Sequence, residues 1–171
     1  MIKSGVLIIF LLLLLFLPAV KSYSQTRTLD SLKNLLKRTR ADTSKMKILF
    51  EMTDFEGETN LDSALNLVTT AEDLALKQKQ KMWLAKVYLA RGFIFYRQSL
   101  NDLALYYFMK GNIIFNSLHD LKGMSDALNR IALVYKNQRK YPESLVLFNN
   151  SLLIRTSLHD QQRISIWSFC Y

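Results

Sequence analysis

One cysteine, Cys170, stands near the end of a chain of 171 residues that holds only two prolines and five glycines. A lone thiol leaves no disulfide to form within one chain, so a disulfide-stapled module is excluded. The scarcity of glycine and proline excludes collagen-like and low-complexity chains, and it leaves long stretches in which nothing breaks a helix. Acidic residues are also the minority. Fourteen Asp and Glu against 23 Lys and Arg give a formal net charge of +9, which favours acidic partners without identifying one. What is abundant is apolar: 50% of residues are hydrophobic and 12% aromatic, too many for a disordered chain and enough to build one packed domain.

Part of that apolar content is a leader. Lys3 supplies a positive start, Val6 to Leu17 is an unbroken apolar run, and Pro18 ends it. The run is shorter than the roughly 20 residues a spanning helix needs, so residues 1–24 read as a secretory signal peptide. Ser22 and Ser24 place small side chains three and one before a cut ahead of Gln25. The alternative is an uncleaved anchor. No cysteine stands just after the run, which argues against lipid anchoring. After Gln25 polar residues interrupt every apolar window, so the mature chain is expected to be exported and soluble, in the periplasm or outside the cell.

The strongest pattern is internal repetition. Ser117-Leu118-His119-Asp120 recurs as Ser157-Leu158-His159-Asp160, forty residues on. The same shift carries Ala64 onto Ala104 and Ser144, Ala71 onto Gly111 and Ser151, Val68 onto Phe108 and Phe148, and Phe55 onto Phe95 and Tyr135. Side-chain size is what persists. Small residues seven apart lie two turns apart on one helix face, where they admit a second helix closely while the bulky residue between them fills the seam. Stacked helical hairpins are the expected result.

Periodicity predicts helices at about 28–39, 44–57, 61–78, 81–98, 102–118, 121–138 and 142–158. Asn60 and Asn101 are candidate N-caps, and Pro142 suits a first helical turn. Alternation of β-branched residues is absent, so the expected fold class is all-α.

These residues resemble the tetratricopeptide repeats, two-helix units with Gly or Ala then an aromatic in the first helix and small, aromatic and small residues in the second. Gly92-Phe93-Ile94-Phe95 followed by Ala104, Phe108 and Gly111 matches one unit. Ile131-Ala132-Leu133-Val134-Tyr135 followed by Tyr141-Pro142-Glu143-Ser144, Phe148 and Ser151 matches another. The unit at 44–83 matches in its second helix, while Glu51, Met52 and, in the next unit, Arg91 depart from the pattern. The resemblance implies a right-handed α-solenoid of stacked antiparallel hairpins in which residues 25–43 form an N-terminal helix and linker. Units at 44–83, 84–123 and 124–163 would follow, with 164–171 beginning a further repeat. Tyr171 aligns with Ile131, in the middle of a first helix, so a truncated chain is expected ahead of a natural terminus that pairs with another subunit. Forty-residue units of this kind are similar to the extracytoplasmic sensor portions of bacterial signalling proteins.

The resemblance further implies that first helices line a concave groove that takes a protein or peptide. Its groove-lining places are Lys86, Leu89, Phe93, Tyr96 and Arg97 in the second unit. In the third they are Asp126, Asn129, Leu133, Lys136 and Asn137, with Arg130 nearby. No acid falls between Asp73 and Asp102, where Lys77, Lys79, Lys81, Lys86, Arg91 and Arg97 all lie, so an acidic partner is favoured; export disfavours nucleic acid. Membrane contact is expected only through an uncleaved leader.

Catalysis has no support in the sequence. The two His-Asp pairs fall at corresponding ends of two hairpins and read as helix terminators or caps. A metal-spaced Cys/His set, a phosphate-cradling glycine loop and a GxSxG turn are all missing, and no cofactor is expected. Three readings stay open: a binding scaffold or sensor module, a homo-oligomer joined through its C-terminal aromatics, and the truncated input domain of a kinase or transcription regulator.

Overall fold

The computed structural model describes residues 28–168, with side chains described through Leu158. Among them the chain is helical throughout, with no strand. The segment 1–24 expected to be a signal peptide, Cys170 and the last aromatics, Phe169 and Tyr171, lie outside the described residues. The helices are α1 (28–38), α2 (Asp42–Glu56), α3 (Leu61–Lys77), α4 (Lys81–Arg97), α5 (Asn101–Ser117), α6 (Leu121–Asn137) and α7 (Tyr141–Ser168).

The chain divides into two compact units, Met1–Ile48 and Leu49–Tyr171. In the first, α1 closes on Thr39, whose backbone N–H and hydroxyl both donate to the Leu35 carbonyl, at 3.0 and 2.7 Å. In the second unit, helices adjacent in sequence are adjacent in space: α3 packs on α4, α4 on α5, α5 on α6 and α6 on α7, and α4 also touches α6. No described helix is long and apolar enough to cross a membrane.

A shorter period than forty governs the backbone. Helices α3 to α6 are each 17 residues long, and three-residue turns join them. The middle residue of each turn, Lys79, Ser99, His119 and Arg139, has φ of 52°, 60°, 53° and 60°. In every turn the third residue's N–H donates back across the helix end, Gln80 to Ala75, Leu100 to Phe95, Asp120 to Phe115 and Lys140 to Tyr135, at 2.9 to 3.0 Å. The middle residue's N–H donates to the carbonyl three before it, as His119 does to Asn116. These two bonds define the Schellman closure, which satisfies carbonyls the helix leaves open. Glycine ordinarily holds the left-handed position; here exposed side chains do so at some cost in backbone energy.

The first His-Asp pair thus has a structural role. His119 is the turn residue, and the Asp120 carboxylate caps α6 by accepting the Gly123 N–H at 3.1 Å. The second pair does not terminate a helix: α7 runs on through 159 and 160 to Ser168, whereas the repeat predicts a stop after 158. Asn60 caps α3 as expected, accepting the Ser63 N–H at 3.0 Å. Asn101 is displaced by one place. Leu100 occupies the cap, and the Asn101 Oδ1 is buried without a partner.

The recurring small residues all lie buried in helix-to-helix seams: Ala64, Ala104 and Ser144, and Ala71, Gly111 and Ser151. Bulk fills the space between them, with Val68 and Phe108 fully buried. Gly92 shows how tight this is, since a Cβ there would stand 2.6 Å from the Phe108 ring and 3.1 Å from the Ala104 carbonyl. In the last hairpin serines replace alanine and glycine and bond across the seam. Ser151 Oγ donates to the Ser125 carbonyl at 2.9 Å, and Ser144 Oγ donates to the Ala132 carbonyl at 2.8 Å. Each buried hydroxyl is thereby satisfied, as a low-dielectric seam requires.

Arg91, which departs from the repeat pattern at the place of the buried Ile131, is accommodated by a neighbour on α3. Its guanidinium lies 2.7 Å from Glu72, with the two side chains only 14% and 17% exposed. It also donates to Thr69 Oγ1 at 3.0 Å and stands 5.5 Å over the Tyr107 ring.

Candidate functional site

Side chains at i, i+3, i+4 and i+7 share one face of a helix, and three such sets meet in the second unit around a cavity of about 470 Å³. Phe50, Thr53, Asp54 and Gly57 come from α2 and its end, with Glu58 in the turn that follows. Lys86, Leu89, Ala90, Phe93 and Arg97 come from α4, and Asp126 and Arg130 from α6. Its size is that of an ordinary ligand cleft.

The floor is aromatic. Phe93 stacks on Tyr96 with ring centroids 6.3 Å apart, and Phe50 stacks on Trp83 at 5.6 Å. Cations rest on these rings: the Arg130 guanidinium stands 5.2 Å over Phe93, and Lys86 Nζ stands 4.6 Å over Trp83. Burial lowers the Arg130 pKa from its ordinary value, and the nearby charges of Asp126 and Asp54 oppose that effect. Asp126, the acid one turn before it, is engaged elsewhere, held by Arg155 Nη2 at 2.8 Å while Arg155 Nε donates to Ser125 Oγ at 2.9 Å. Arg130 therefore has aromatic area beneath it and no ion-pair or hydrogen-bond partner among the described residues. A partly desolvated guanidinium in that state is prepared for an anion.

Across the cavity the charge reverses. Desolvation raises the Asp54 pKa above the ordinary carboxylate value, Arg130 lowers it and Glu51 raises it further. Asp54 and Glu58, four apart, have no ion-pair partner among the described residues.

Of the residues expected to line a groove, Lys86, Phe93, Arg97 and Arg130 line this cavity, together with Leu89 and Asp126. Tyr96 adjoins it through its stack on Phe93. Asn129 and Leu133 are half-buried on α6 outside the lining, and Lys136 and Asn137 are exposed at the far end of that helix. The α2 side of the cavity escapes the sequence reading, although the forty-residue shift holds the signal. Moved back by forty, Ala90, Phe93, Ile94 and Arg97 fall on Phe50, Thr53, Asp54 and Gly57, all of them lining residues. Glu51 and Met52, standing where an apolar and a small residue are usual, obscure that register. Among the described residues no three His, Cys, Asp or Glu side chains are grouped to hold a metal ion.

No protein-family model matches the chain, and no curated protein matches it. Among solved structures, it is similar to the crystal structure of BtubC (BKLC) from P. vanneervenii, with a TM-score of 0.65 at 15% sequence identity. The alignment covers 80% of this chain and 56% of that one, so this chain spans a little over half the length of its structural relative. At that identity the likeness concerns the fold alone.

Proposed function

We propose that the chain is a non-catalytic binding module of tetratricopeptide type, a right-handed solenoid that takes a protein or peptide segment on the face built from α2, α4 and α6. The observation that carries this reading is Arg130: a partly buried guanidinium on an aromatic ring, opening into a cavity, without an anion of its own. Recurring buried small residues support a stacked array, and the face in question belongs to the first helices of the repeat. The leader-like start supports export to the periplasm or beyond, and a sensor role in signalling fits such a location. An array of this type presents an extended concave surface for recognition.

The test is capture of peptides by the full chain. Charge reversal at Lys86 and Arg97 should weaken capture about tenfold, equivalent to about 1.4 kcal/mol; unchanged capture would contradict the reading.

A second reading, self-association, is favoured by one observation. Leu145, Val146, Leu152 and Leu153 of α7 are each more than half exposed, an apolar stripe that another helix would cover. Light scattering decides it: Leu145→Lys with Leu152→Lys should convert a dimer to a monomer, and a mass that is monomeric from the start excludes it.

A further inference from the structure

We infer that the segment bound at the α2/α4/α6 cavity is a mixed-charge peptide, carrying an acidic and a basic side chain close together, and not the purely acidic one that the chain's net charge suggests. This rests on the proposed binding reading and specifies its ligand. The cavity is bipolar. Its cations, Lys86, Arg97 and Arg130, come from α4 and α6, whereas its two unmatched acids, Asp54 and Glu58, come from α2 and the turn after it. Asp126 is set apart because its carboxylate pairs with Arg155 at 2.8 Å, although its charge still acts on Arg130.

The two sets share one cavity without closing on one another, since no ion pair joins them. The like charge acting on Asp54 is that of Glu51, one turn before it on α2. Each set thus presents charge to the cavity beside apolar surface, with Arg130 half-buried and Lys86, Arg97, Asp54 and Glu58 exposed, and the half-buried Arg130 is where an opposite charge from a ligand interacts more strongly than in water. An acidic side chain beside Arg130 accepts its hydrogen bonds over the Phe93 ring. A basic side chain beside Asp54 and Glu58 meets opposite charge at both. A segment with acids alone satisfies the first condition and meets like charge at the second, a cost that discriminates against it.

The probes are dye-labelled alanine–serine peptides of one length, carrying one glutamate, one lysine, both in either order, or neither. They are titrated by fluorescence anisotropy against the full chain in mild detergent. One of the mixed peptides should bind about tenfold more tightly than either singly charged one. Asp54→Asn with Glu58→Gln should reduce it to the level of the glutamate peptide, and Arg130→Gln to that of the lysine peptide. Far-UV circular dichroism checks that the variants keep their helicity. The unaltered chain provides a second measure, because added salt should erode the advantage of the mixed peptide. If the glutamate peptide binds as tightly as both mixed peptides, or charge makes no difference, the inference is overturned while peptide binding stands. If none of the probes binds, both are overturned.

Discussion

Lys79, Ser99, His119 and Arg139 hold a backbone conformation that glycine adopts freely, and their side chains reach into solvent. Replacing any one of them with glycine should therefore stabilise the chain, by about 0.5–1 kcal/mol after the entropy glycine loses on folding. A higher urea midpoint at unchanged slope is the expected reading, and a lower one would contradict the turn geometry. Gly92 is the opposite case. Gly92→Ala should destabilise by about 1–2 kcal/mol, because crowding against Phe108 exceeds the gain in helix propensity. Asp54 gives a pH signature. Its carboxyl is raised above the ordinary 3.8, by desolvation first, so it holds its proton more tightly folded than unfolded. That contribution to stability is present in acid and lost as pH rises through the raised value. Relative to Asp54→Asn, the parent chain should gain thermal stability as pH falls from neutral toward that range; a constant difference would count against the partial desolvation of this carboxyl. Little of this was legible beforehand, because no glycine marks the left-handed turns and Asp54 falls where the register of the repeat is obscured.

At the scale of elements, the forty-residue recurrence of size located most helices to within a residue or two, since the small positions must lie in seams. It failed where local chemistry competes. Asn101 lies one place inside α5, with Leu100 at the cap, and α7 continues where the repeated Ser-Leu-His-Asp predicts a turn. Arg91 looked like a breach of the pattern because its partner, Glu72, lies on the preceding helix and no spacing rule on α4 points to it. The pair makes a double-substitution prediction. Arg91→Ala alone should cost about 2–3 kcal/mol by stranding Glu72, whereas Arg91→Met with Glu72→Leu should be nearly neutral. Equal losses in the single and double variants would contradict that account of the α3–α4 seam.

At the scale of the whole molecule, α2, α4 and α6 share one cavity, and the proposed function of that face is to bind a segment. The cationic and aromatic half of the cavity, Lys86, Phe93, Arg97 and Arg130, was among the places that the resemblance to tetratricopeptide repeats implied. The acidic half was hidden, and with it the bipolar character that changes the expected ligand. Mapping amide chemical shifts of the full chain during titration with the mixed-charge peptide tests the central claim most directly. The account predicts shifts concentrated on 50–58, 86–97 and 126–130, from the three helices that line the cavity. Shifts concentrated instead around Leu103, Tyr106 and Ile113 of α5, which are exposed apolar residues outside that lining, would contradict it.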